Sequence, residues 1–150
     1  TPVRSPRLVA AVESEQGPDF ERVALFDDGT LVLVRRYRGH GVPQYKRLTS
    51  AEVDVVRRVV REALVVPPSG AAGPERSVAD LRGRRVRLEV ARDDGSVWAF
   101  ASEELTQLPL AVGRAQGAMD DLRSRFLRSD PKETSCSVQC IGASANPSPA

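Results

Sequence analysis

The triplet Asp-Asp-Gly occurs twice, at 27–29 and 93–95, each time between short runs rich in Val, Leu and Ala. Asp-Gly between such runs marks a β-hairpin, because the tight turn needs a residue at positive φ and glycine adopts it without strain. In both places a stretch with helical spacing of apolar residues follows the returning run. The recurrence predicts an α+β chain with two hairpin-then-helix units, forming an antiparallel β-sheet with two α-helices on one face.

Residues 7–12 read as a first strand, and Gln16-Gly17-Pro18-Asp19 as a turn. Residues 22–26 and 31–37 flank the first Asp-Asp-Gly turn. Residues 38–43 (Arg38-Gly39-His40-Gly41-Val42-Pro43) connect them to a short strand at 44–48. Thr49-Ser50-Ala51-Glu52 has the pattern of a capping box, in which Thr49 and Glu52 each satisfy the other's backbone amide. Behind it Val53, Val56, Val60 and Leu64 fall on one helical face, with Arg57, Arg58, Arg61 and Glu62 on the other, until Pro67-Pro68. After a Gly/Ala/Pro-rich loop at 69–74, residues 84–92 alternate. Val86, Leu88 and Val90 are expected inward and Arg85, Arg87 and Glu89 outward, with a return strand at 97–101. Leu108, Val112, Ala115, Met119, Leu122 and Phe126 then form one seam of a helix of about five turns. Pro109 suits its first turn, Glu103-Glu104 are expected near its start, and Asp130-Pro131 stop it.

A length of 150 residues with 41% hydrophobic content supports one core, assigned to residues 1–130. Residues 131–150 are rich in Ser, Pro and Ala, with Val138 and Ile141 the only large aliphatic side chains. Such a tail buries too little to offset its ordering entropy, so it is expected to be mobile alone and pinned only on a partner. No apolar run reaches the roughly 18 residues needed to cross a bilayer, so no membrane insertion is expected. The first residue, Thr1, suggests processing or trimming of the N-terminus.

Charge narrows the function further. All basic residues but Lys46 and Lys132 are Arg, yet the net charge is only +2 and acidic residues are interspersed. Nucleic-acid binding is not expected, because it favours a strongly basic surface. The runs Arg35-Arg36-Tyr37-Arg38 and Arg82 to Arg87 are expected to alternate between the two faces of strands. Cys136 and Cys140, separated by a three-residue spacer, allow a local disulfide but make only half of a four-ligand zinc site. His40, the only histidine, sits between Gly39 and Gly41 with no nucleophile or orienting carboxylate near it in sequence. Asp27-Asp28 and Asp93-Asp94 read as turn residues rather than an acid–base pair. No phosphate loop, nucleophile elbow or zinc motif is present, so neither an enzyme nor a cofactor is expected. Trp98 and Phe100 share one strand face. Gly113 and Gly117, four apart on a helix, permit close approach of another backbone, either the domain's own sheet or a partner helix.

The order of elements resembles a family of small bacterial domains that includes emfourin, an inhibitor of protealysin-like metallopeptidases. The resemblance rests on Asp28-Gly29, Leu48-Thr49-Ser50-Ala51-Glu52 and Leu108-Pro109, and covers roughly residues 7–127. It implies two hairpin–helix halves and an inhibitory loop. In place of the family's Gly-Gly-Phe near the first turn stands Gly17-Pro18-Asp19-Phe20.

The function expected first is a non-enzymatic accessory domain that docks on a protein partner. Its candidate contacts are Gly17, Phe20, Tyr37, His40, Val138 and Ile141, and its candidate disulfide is Cys136–Cys140. The alternatives are an emfourin-like metallopeptidase inhibitor, presenting residues 15–20 or 38–43, and the precursor of a modified peptide drawn from Thr134, Ser135, Cys136, Ser137 and Cys140.

Overall fold

In the computed structural model, residues 4–36, 41–68, 84–103 and 107–127 are described. They form β1 (Leu8–Gln16), β2 (Asp19–Phe26), β3 (Thr30–Arg36), β4 (Gln44–Arg47), α1 (Ser50–Arg61) with a 3-10 turn at Glu62–Val65, β5 (Arg85–Ala91), β6 (Val97–Glu103) and α2 (Leu110–Leu127). The strands make one six-stranded antiparallel sheet in the order β4-β3-β2-β1-β5-β6. The chain is α+β.

Both Asp-Asp-Gly triplets lie at turns between paired strands, with Gly29 at φ 92° and Gly95 at φ 89°. The aspartates serve those turns. Asp28 Oδ1 accepts from the Thr30 amide at 2.9 Å, and Asp94 Oδ1 accepts from the Ser96 amide at 2.8 Å. Gly29 has a second constraint. A Cβ there would stand 2.4 Å from the Leu48 carbonyl oxygen, because Leu48 N donates to Gly29 O at 2.8 Å where the chain enters α1.

β1 is the central strand and extends beyond the expected 7–12 to Gln16. Its apolar pattern stops at Val12, but Glu13 stands opposite Arg22 of β2 and Arg87 of β5. Paired on both sides, the polar half remains strand. A register shift between Leu8 and Ala10 lets Val9, Ala10 and Val12 all join the core. That core takes alternate residues across the sheet: Val23 and Leu25, Leu31 and Leu33, Leu88 and Val90, and Trp98. Its helical half is Val53, Val56 and Val60 of α1 and Val112, Ala115, Met119, Leu122 and Phe126 of α2. Phe100 and Leu108 pack on its margin, and the Trp98 indole donates to the Val66 carbonyl at 2.7 Å.

Antiparallel ion pairs bracket the helices. Glu52 at the start of α1 meets Arg125 near the end of α2, and Glu62 lies 3.8 Å from Arg114 near the start of α2. The Thr49–Glu52 capping box forms in both directions. Two expectations change here. Glu103 ends β6 rather than opening α2, because the alternation that begins at Val97 carries through to the Arg85–Glu103 pair. Gly113 and Gly117 face outward with nothing within 4 Å of a Cβ, so the domain's own sheet does not explain them.

Two outcomes follow from this packing. Leu122→Ala or Phe126→Ala should cost roughly 2–5 kcal/mol in denaturant unfolding through the cavity each leaves. Glu52 is held below its usual pKa of 4.5 chiefly by the Thr49 backbone amide and then by Arg125. A carboxylate with a depressed folded pKa stabilises above its unfolded pKa, and that contribution is lost as pH falls through the folded value. Wild-type stability should therefore fall more steeply between pH 6 and pH 3 than that of Glu52→Gln, measured by urea unfolding.

Candidate functional site

Of the residues singled out for binding, the two that are described, Gly17 and Phe20, lie at one end of the sheet. Gly17 and Pro18 turn β1 into β2, with Gln16 opposite Asp19 and Gly17 at φ 58° in open space. One step further along, Phe20 stands opposite Arg36, the last described residue before the β3–β4 connection. Gly41, at the far side of that connection, lies so close to β3 that a Cβ would sit 2.0 Å from the Arg35 carbonyl oxygen. Gly17 and Gly41, far apart in sequence, therefore both lie toward this sheet end.

The side chains there are fixed in two layers. The Arg36 guanidinium carbon lies 5.2 Å from the centroid of the half-buried Phe20 ring, a cation–π contact that holds both groups at the surface. On the opposite side of β2, Glu21 receives two arginines. Arg35 Nε donates to Oε2 at 3.2 Å, and Arg123 of α2 binds both oxygens in a fork, with Nη2 at 3.2 Å from Oε2. The Glu21 side chain is only 12% exposed, and two part-buried guanidinium groups share its carboxylate. A shallow hollow, bordered by Gln16, Asp19, Phe20, Arg84 and Arg123, opens beside this clamp.

The opposite end of the sheet also holds a polar hollow, between Arg7, Arg57, Arg61 and Arg92. Two carboxylates on its rim are already engaged. Asp27 accepts from the Arg7 amide at 2.9 Å and from Arg4 at 2.6 Å, and Asp93 holds Arg61 at 2.6 Å. Hydrogen bonds from Thr30 lower the pKa of Asp28, and those from the Ser96 hydroxyl and amide lower that of Asp94. These carboxylates are tied as anions into turns, which unfits them for general acid work near neutral pH. On the sheet surface away from the core, Arg22 bridges Glu13 at 2.5 Å and Glu89 at 2.6 Å. Burial alone would lower the Arg22 pKa; its bonds to Glu89 and then Glu13 outweigh that, and it is raised.

Among the described residues there is no group of three or more His, Cys, Asp or Glu side chains placed to hold a metal, and no helix long and apolar enough to cross a membrane. Tyr37, His40, Cys136, Val138, Cys140 and Ile141 lie outside the described residues. Sequence reasoning missed Glu21, Arg35 and Arg123. Strand alternation could have placed Glu21 and Arg35 on one face, but the third partner is 102 residues away. The sequence matches no protein-family model and no curated protein.

Replacing the shared acceptor tests the clamp. Glu21→Gln should cost roughly 1–3 kcal/mol, since it leaves two half-buried guanidinium groups with a weaker, neutral partner. Arg123→Ala should cost less, because Arg35 then keeps Glu21 to itself; paired thermal or urea unfolding of both variants checks the order.

Proposed function

We propose that this chain is a protein-docking domain without catalytic chemistry of its own, and that it docks through the sheet end carrying the Gly17-Pro18 turn. The observation behind this reading is the Phe20–Arg36 stack, presented beside an open turn and braced from beneath by the Glu21 clamp. Aromatic and arginine side chains that are already ordered before contact make effective interface anchors, because little conformational entropy is lost when they bind. The interspersed charge and the aspartates committed to turns are compatible with this reading.

The open Gly17-Pro18 turn at the sheet end favours one second reading. A turn projecting from the end of a paired sheet suits insertion into a peptidase cleft, as an emfourin-like inhibitor requires. The peptide-precursor reading rests on residues 134–140, outside the described residues.

Co-purification from the native source with quantitative mass spectrometry, comparing wild type with Phe20→Ala and Arg36→Ala, tests the docking surface. A specific partner should be retained by wild type and bound about 30-fold more weakly by Phe20→Ala, the loss of one anchor worth about 2 kcal/mol. A partner held equally by all three forms rejects this surface. Inhibition of a protealysin-like metallopeptidase by the chain truncated after Asp130, lost in Phe20→Ala, would establish the inhibitor reading. Turnover abolished by His40→Ala would refute the non-enzymatic assignment.

A further inference from the structure

Two buried side-chain nitrogens among the described residues have no hydrogen-bond partner, Arg87 Nε on β5 and Gln116 Nε2 on α2. A buried donor left unpaired costs free energy, and such a group calls for an explanation. Gln116 supplies one, because it lines a hollow of about 150 Å³ between α2 and the end of the sheet where β5 begins and β6 ends. The hollow lies at the margin of the core. Strand alternation puts Arg84, Val86 and Ser102 on the sheet face that meets the helices, the face of Leu88 and Trp98. Its apolar wall is Val12, Val86 and Leu108.

The polar groups around that wall are unused. Gln116 and Asp120 are four apart and share one face of α2. Among the described residues no hydrogen bond or ion pair engages the Asp120 carboxylate, the Ser102 hydroxyl or the Arg84 guanidinium. Partial burial raises the Asp120 pKa above its ordinary 3.8, even against the pull of Arg84 and Arg123. Carboxylates at the other hollows differ, since Glu21, Asp27 and Asp93 already hold arginines. An apolar wall with a few convergent, unpaired polar groups is the usual build of a small-ligand site.

We propose that this hollow binds a small α-amino acid with an aliphatic side chain. Arg84 and the Gln116 amide, turned inward by a small rotation, meet its carboxylate. Asp120 and Ser102 meet its ammonium group, and the aliphatic group lies on Val12, Val86 and Leu108. The charges select a zwitterion. With Asp120 and Glu103 against Arg84 the lining is net negative, which disfavours a plain anion. A plain cation would leave Arg84 and the Gln116 donor without acceptors. The volume sets the size, since sites for drug-sized ligands begin at roughly 300 Å³.

Titration of the full chain with L-valine, followed by amide NMR, should give saturable shifts at Ser102, Gln116 and Asp120. Isovalerate, which lacks the ammonium group, and isobutylamine, which lacks the carboxylate, should each bind at least about 10-fold more weakly. Two variants separate the two ends of the ligand. Gln116→Met should weaken L-valine and isovalerate and spare isobutylamine, whereas Asp120→Asn should weaken L-valine and isobutylamine and spare isovalerate. Arg58→Gln, on the exposed face of α1, should change none of them. No saturable shift with L-valine into the millimolar range, equal binding of all three probes, or L-valine binding indifferent to both variants would overturn the proposal. If a variant does not fold, the three-probe comparison on the unaltered chain decides.

Discussion

Double pairing of β1 is the constraint on which the rest of the structure depends. β1 is bonded to β2 on one side and β5 on the other, and its residues meet both helices. Ala10 and Ala11 at its centre are both fully buried, one in the core and one on the opposite sheet surface. Small side chains there let the neighbouring strands and the helices close over it, whereas a large residue at Ala10 would compete for space with Leu25 and Val90, its cross-strand partners. The second hairpin joins the sheet through this strand. Residues distant in sequence thereby share one core, and Val12 and Leu88 sit directly opposite each other.

Arginine has a specific use in this framework. Arg22 reaches carboxylates on two neighbouring strands, and Arg123 grips both oxygens of Glu21. Arg22 does this from a single Nη1, whereas Arg123 uses the planar fork, for which an ammonium group would offer no matching pair of donors. The Arg22 bridge also explains how Ala11 and Ala24 are buried outside the apolar core. They lie beside Glu13, Arg22 and Glu89, whose side chains join above the sheet.

The local part of this fold was legible in the sequence because its signals are local. The two Asp-Asp-Gly turns, the Thr49–Glu52 capping box and the seam from Val112 to Phe126 each arise from residues within a few positions of one another. The polar half of β1 was not legible, since Glu13, Ser14, Glu15 and Gln16 lack the apolar alternation that identifies a strand; their strand character comes from partners at 19–22 and 85–87. Glu103 was misplaced for a related reason, as its cross-strand partner Arg85 outweighs any preference of an acidic residue for a helix start. Turn chemistry placed Gly17 at the β1–β2 turn, while Phe20 was singled out only through the resemblance that compares Gly17-Pro18-Asp19-Phe20 with Gly-Gly-Phe. The Glu21–Arg123 contact was not legible, because no periodicity links a strand residue to a helix residue so far along the chain.

Strand alternation ties the candidate site to that hidden contact. Phe20 and Glu21 are neighbours on β2, so their side chains leave on opposite faces of the sheet. One is stacked against Arg36 at the surface, and the other is gripped by α2 through Arg123. The hairpin end therefore cannot swing on its own, because moving Phe20 drags Glu21 away from two guanidinium groups that are only partly solvated. Order at the tip is inherited from the helix layer, although the Gly17-Pro18 turn itself touches little. A surface that meets its partner already fixed loses less freedom on binding than a loose loop of the same composition. On the proposed docking reading, specificity rests on shape held by the Glu21 clamp, which lies on the opposite face of β2 from Phe20.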